Sequence, residues 1–140
     1  MRFDHVGLNV ADLPAATSWY TAALSLEVEF EFCLEQFDFS GVMLRSTHED
    51  PARVYRVELL HRAGNTAGIQ VERPLDAPLT RGFGHLALTV DDLAGTHRAL
   101  LAAGAAERMP PSPSPEPGVR ISFVSDPEGN LIELVDRTAS

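Results

Sequence analysis

Four residues of this chain, His5, Glu58, His85 and Glu133, have the types and the spacing to do chemistry together. FDHVGLNVADL at 3–13 and FGHLALTVDDL at 83–93 coincide at six of eleven positions, and YRVELLHR at 55–62 is echoed by NLIELVDR at 130–137. The chain is therefore an internal duplication in which each half carries one His and one Glu at matching places. Two carboxylates about 4 Å apart in a partly buried cleft would repel by about 4 kcal/mol at an effective dielectric of 20. A divalent cation reverses that sign. Two imidazole nitrogens and two carboxylate oxygens, with positions left for water or substrate, suit Zn, Ni, Co, Mn or Fe(II) better than the thiolate-bound metals. A repeat could keep His for packing, but it has no packing reason to keep Glu twice between apolar neighbours.

The elements that must position these four residues follow from periodicity. Val6, Leu8 and Val10 alternate with His5, Gly7 and Asn9, and Leu86, Leu88 and Val90 alternate with His85, Ala87 and Thr89. Asp12 and Asp92 then cap helices, the first with Pro14 in its opening turn and a buried stripe of Leu13, Ala16, Tyr20, Ala23 and Leu24. The second has the stripe Leu93, His97, Leu100 and Leu101 and stops at Gly104. Each helix must cover the apolar face of its strand, which leaves both histidines on the other face. Glu58, flanked by Val57 and Leu59, and Glu133, flanked by Ile132 and Leu134, have the parity to join them. Further strands are predicted near 27–33, 37–46 and 54–61 in the first half, and near 119–125 and 130–135 in the second. Residues 63–82 read as a connector with room for a short strand at 69–71. PPSPSPEPG at 110–118 is excluded from helices and central strands and reads as a stiff surface loop or a lid. His48 and His61 read as surface residues, His97 as a core or interface residue, and Cys33 as inert.

Composition bounds the remaining possibilities. The 140 residues make one ordinary domain, with module one at about 1–62, the connector, and module two at about 83–137. A net charge of -9 argues against nucleic acid and acidic membrane surfaces as partners, and no stretch approaches the roughly 20 apolar residues of a membrane span. All eleven basic residues are arginine, which excludes an internal Schiff base and a phosphate-loop lysine. The single cysteine cannot form an internal disulfide, and a cytoplasmic protein is expected.

DHVGLNVADL, GFGHLALTVDDL and above all SFVSDPEGNLIELVD resemble the vicinal oxygen chelate superfamily of glyoxalase I, methylmalonyl-CoA epimerase, extradiol dioxygenases and the fosfomycin and bleomycin resistance proteins. The resemblance covers both repeats and implies an α+β fold: two tandem βαβββ modules forming a curved, partly closed mixed sheet around a metal site, helices outside, often in a homodimer. It implies one divalent metal ion (Ni, Zn, Co, Mn or Fe(II)) held by His5, Glu58, His85 and Glu133, the His, Glu, His, Glu set of bacterial glyoxalase I. The activity implied is a glyoxalase-like lyase, isomerase or epimerase reaction by metal-assisted proton transfer on a small substrate with vicinal oxygens. In it Glu133 is the base and Glu58 returns the proton, or the reverse. An Fe(II) extradiol-type dioxygenase and a non-catalytic drug-binding protein are the alternatives. After Glu58 the chain reads LLHRAGNTAG where glyoxalase I typically has an Asn-Trp-Gly segment, which leaves glutathione dependence open. Phe30, Phe32, Phe37, Phe39, Met43 and Phe123 are candidate apolar walls, and Arg45, Arg56 and Arg120 are candidates to hold a substrate anion.

Overall fold

A computed structural model describes residues 1–138. The chain divides into two compact units, one of residues 1–67 and one from Gly68 onward, so the connector is split, 63–67 lying with the first and 68–82 with the second. Each unit is a βαβββ module with its own four-stranded mixed sheet and one helix on one face. Unit 1 contains β1 (Val6–Asn9), α1 (Leu13–Ala23), β2 (Leu26–Leu34), β3 (Phe39–Ser46) and β4 (Arg56–Arg62), in the sheet order β1-β4-β3-β2. Unit 2 repeats this with β5 (Leu86–Thr89), α2 (Leu93–Ala102), β6 (Ala106–Pro113), β7 (Arg120–Ser125) and β8 (Leu131–Asp136), ordered β5-β8-β7-β6. In both, the first strand runs parallel to the last and the remaining pairs are antiparallel.

The two helices start where their caps dictate. Asp12 is extended and accepts the Ala15 amide at 2.9 Å, and Asp92 accepts the Gly95 amide at the same distance. Such a cap is worth about 1 kcal/mol, and it turns the chain from the first strand into the helix that covers it. The core lies between helix and sheet in each unit. In unit 1 Leu44, Val57 and Leu59 are fully buried, with Tyr20 of α1 against them; in unit 2 Val124, Ile132 and Leu134 are fully buried under Leu93 and Leu100 of α2. Each contributes about 1.5–3 kcal/mol by leaving water. Because these residues alternate along β4 and β8 with Glu58 and Glu133, core formation itself turns both carboxylates to the opposite face.

The structure departs from expectation in the proline-rich run. Its first part is neither loop nor lid: Pro110, Pro111 and Pro113 lie in β6, at the edge of the second sheet. An edge strand needs hydrogen bonds on one side only, so prolines that lack an N–H are tolerated there, and the pairing with β7 is interrupted by register shifts between Glu107 and Ser112. A turn closed by the Ser114 amide on the Val119 carbonyl follows. The strand expected at 69–71 does not form; the connector instead holds a 3-10 segment, Pro74–Leu79, and Gln70 reaches the Glu128 carbonyl with its side-chain amide at 3.0 Å. The β7–β8 turn is built by Asp126, 4% exposed, whose carboxylate accepts the amides of Glu128 and Asn130 and the Asn130 side chain, each at 2.9 Å. Gly129, with φ of 90°, completes it.

Candidate functional site

Each unit brings one His and one Glu into contact. His5 lies one residue before β1, and the register pairs Gly7 with Glu58, which sets His5 Nε2 at 3.1 Å from Glu58 Oε2. In unit 2 Ala87 pairs with Glu133, and His85 Nε2 lies 3.0 Å from Glu133 Oε2. The four side chains are partly exposed, the glutamates less so at 20% and 17%, against 33% and 41% for the histidines. Among the described residues no three His, Cys, Asp or Glu side chains gather into a single metal-binding group. The sites are thus two dyads, one per unit.

The dyads differ in what supports them. His5 Nδ1 lies 2.7 Å from the Asp4 carboxylate, a contact that fixes the ring and presents Nε2 toward Glu58. The Asp4 hydrogen bond raises the His5 pKa above its ordinary value, the charge of Glu58 adding to it, and the same bond lowers Asp4. Residue 84, the repeat equivalent of Asp4, is glycine. His85 packs instead on the edge of the Phe123 ring, with centroids 5.3 Å apart, and Phe123 sits directly opposite Glu133 in the β7–β8 register. Asp4 is not singled out by the sequence pattern; its only signal there is a carboxylate adjoining His5 in one repeat and missing from the other.

The expected substrate-binding arginines separate. Arg56 forms a two-bond fork with Glu29, at 2.7 and 3.1 Å, and Arg45 lies 3.7 Å from Glu27. Both are on the Glu58 face, with their charge already matched. Arg120 pairs with Asp136 in register and shares parity with Ser122 and Val124, which puts it on the α2 side of the sheet, opposite Glu133; its guanidinium donates to the Pro111 carbonyl at 3.4 Å. The aromatic candidates hold together better. Phe30, Phe32 and Phe39 share the Glu58 face with Met43, Phe32 standing 5.6 Å from Phe39 and 6.5 Å from Phe30 between centroids. Gly41 lies under Phe32, and a Cβ there would run into the Phe32 ring and Leu60.

The other singled-out residues lie elsewhere. His48 is exposed and accepts the Asp50 amide at 3.0 Å. His61 is half-buried rather than a free surface residue, its Nδ1 donating to the Val10 carbonyl at 3.0 Å beside Asn65. His97 is buried at 3% exposure, with one ring nitrogen 3.0 Å from the Ser122 hydroxyl and the other 2.8 Å from Glu107. A cleft of about 520 Å³ is lined by residues of α1, β2 and β3, among them Leu13, Pro14, Thr17, Phe32, Cys33 and Val42; neither His5 nor Glu58 lines it.

The family model of the Glyoxalase/Bleomycin resistance protein/Dioxygenase superfamily matches residues 2–134. The chain belongs to this superfamily. Among curated relatives, a probable lactoylglutathione lyase of Vibrio parahaemolyticus is 28% identical, the match covering 96% of this chain and 89% of the relative. The lactoylglutathione lyase of Haemophilus influenzae is 24% identical over 100% of this chain and 96% of its own length. Among solved structures, the glyoxalase family protein from Enterococcus faecalis superposes with a TM-score of 0.77 at 21% identity, covering 96% of each chain. Glyoxalase I from Zea mays gives a TM-score of 0.75 at 23% identity; this chain spans 45% of its length. These superpositions establish the superfamily fold, with two βαβββ-like modules and helices outside the sheets. Among the described residues no helix is long and apolar enough to cross a membrane.

Proposed function

We propose that His5, Glu58, His85 and Glu133 together hold one divalent metal ion and that the protein is a glyoxalase I-type lyase or isomerase acting by proton transfer on a small substrate with vicinal oxygens. The observation that carries the reading is the pair of dyads, whose nitrogen-to-oxygen spacings of 3.1 and 3.0 Å equal the donor-to-donor edge of about 3.0 Å around a six-coordinate ion with bonds near 2.1 Å. The donor set of two imidazoles and two carboxylates suits Ni, Zn, Co, Mn or Fe(II), and Asp4 supplies the outer carboxylate that orients a ligating histidine. Membership of the superfamily and relatives named lactoylglutathione lyase support the same class.

When bound, such an ion would polarise the two vicinal substrate oxygens and acidify the C–H on one of the carbons that carry them. Glu133 takes that proton and Glu58, starting as the carboxylic acid, gives one to the neighbouring carbon; exchange with solvent then returns both carboxyl groups to their starting states, so the substrate gains and loses no atom and the reaction is an isomerisation. Phe123 beside His85, and the Phe30, Phe32 and Phe39 cluster on the Glu58 face, exclude water from the carbon that carries negative charge. The two modules act as one domain around this one site, and two chains pair as a homodimer, which would cover some of the exposed Phe3, Phe30, Leu75, Leu79 and Phe83 side chains.

The test is solvent exchange with the metal-loaded enzyme in deuterated water, using hemithioacetals of a 2-oxoaldehyde. Wild type should exchange or transfer the C–H proton. Glu133→Gln and Glu58→Gln should slow this by about 10²–10⁴-fold while the amide oxygen keeps much of the metal. Oxygen consumption with a catechol and no proton exchange would replace this reading with the dioxygenase one.

A further inference from the structure

The first unit holds a second concave feature, the cleft of about 520 Å³ formed by α1, β2 and β3. Its volume lies within the roughly 300–1,000 Å³ of small-molecule sites. The walls are mostly apolar, from Leu13 and Pro14 of α1, Phe32 of β2 and Val42 of β3, and the one charged residue lining them is Glu31. Strand register sets that carboxylate in place. Glu31 stands opposite the buried Val42, and Cys33 opposite Ser40, so both side chains fall on the face of the sheet that α1 covers. Glu27 and Glu29, on the same strand, are matched by Arg45 and Arg56. Among the described residues Glu31 has neither an ion pair nor a side-chain hydrogen bond.

These groups decide what the cleft can take. An anion would meet a like charge and no free donor at the helix end: no arginine lines the cleft, Pro14 has no N–H, and the Ala15 amide is already taken by Asp12. A divalent metal ion would find too few ligands, because among the described residues no three His, Cys, Asp or Glu side chains gather. An ammonium group on an apolar body suits both features. The carboxylate accepts its charge-assisted hydrogen bond, and the apolar walls take the body out of water. We propose that this cleft binds a small organic cation, an ammonium on an apolar or aromatic body, with Glu31 as its counter-charge. The site is separate from the His–Glu dyads and does not depend on the proposed reaction.

The chain's single cysteine reports on occupancy, because Cys33 lines the cleft and is exposed. On the full chain at neutral pH, alkylation of Cys33 by iodoacetamide is followed by intact mass with 2-phenylethylamine, 2-phenylethanol or 3-phenylpropionate present. The amine should protect the thiol at about fivefold lower concentration than the alcohol, and the carboxylate should not protect it. Glu31→Gln should make amine and alcohol equivalent without altering the effect of the alcohol, and Glu31→Lys should shift the preference to 3-phenylpropionate. An amine bound at a metal ion leaves this readout unmoved. Equal protection by amine and alcohol in wild type, protection by none of the three, or an unchanged amine preference in Glu31→Gln with an unaltered circular dichroism spectrum would overturn the assignment. Alkylation that slows as protein concentration alone is raised would make the cleft a contact between two copies, and would overturn it equally.

Discussion

The two His–Glu dyads share a backbone plan and differ in their surroundings. His5 is held from behind by Asp4 and sits on a module rich in phenylalanine; His85 lacks the carboxylate and leans on one buried aromatic ring. Duplication keeps what backbone register dictates, namely an imidazole before the first strand and a carboxylate on the last. It leaves free what supports them. In a proposed common metal site, the first dyad supplies an electrostatically fixed ligand and the second a sterically fixed one.

Removing the ligands from either side gives the largest effect. His5→Ala and His85→Ala should each lose most bound metal, measured by atomic emission after purification, with the helical circular dichroism retained because neither ring belongs to the core. Stoichiometric metal in the double variant would falsify the shared site. The comparison can then be broken at its point of difference: Asp4→Gly makes the first dyad resemble the second, and metal affinity should fall about 10–100-fold, whereas the corresponding support for His85 is packing, so Phe123→Leu should cost less metal affinity than Asp4→Gly. Competition with a chelating dye reads both.

A smaller effect is expected from the aromatic cluster. Gly41→Val should displace Phe32 and lower stability by about 1–3 kcal/mol, read as a fall in Tm with the metal content unchanged. The smallest concerns the repeat-related arginines. Arg137 holds the Glu116 carboxyl below its ordinary value, so this pair adds stability above the ordinary carboxylate pKa and loses it as pH falls through the depressed one. Arg137→Gln should therefore lower Tm slightly at neutral pH and converge with wild type in acid. Arg62, the repeat equivalent of Arg137, stacks on the Phe37 ring and has no carboxylate within 4.0 Å among the described residues, so Arg62→Gln should show no such convergence.

The duplication makes both dyads legible in the amino-acid sequence, because two matching occurrences of His and Glu carry more information than any single one, and strand parity then assigns their face. The helices and their aspartate caps are equally readable. The strand β6 is hidden by its prolines, which forbid a central strand but not an edge one. The arginines are unreadable for a different reason. Whether a guanidinium is already neutralised depends on a partner brought in by tertiary pairing, as Glu29 is for Arg56 from across the sheet, and nothing in the local pattern separates Arg56 from Arg62. The parity of Arg120 is available in principle, but it requires the β7–β8 register that the Asp126 turn sets.

One buried side chain also separates the modules in their motions. His97 ties α2 to Glu107 of β6 and Ser122 of β7, while its repeat counterpart, Thr17, turns its hydroxyl back onto the Leu13 carbonyl of its own helix at 2.7 Å. Opening α2 therefore breaks contacts to two strands at once, so amide hydrogen exchange across α2, β6 and β7 should proceed as one cooperative foldon, a coupling that the side chain of residue 17 does not add to α1.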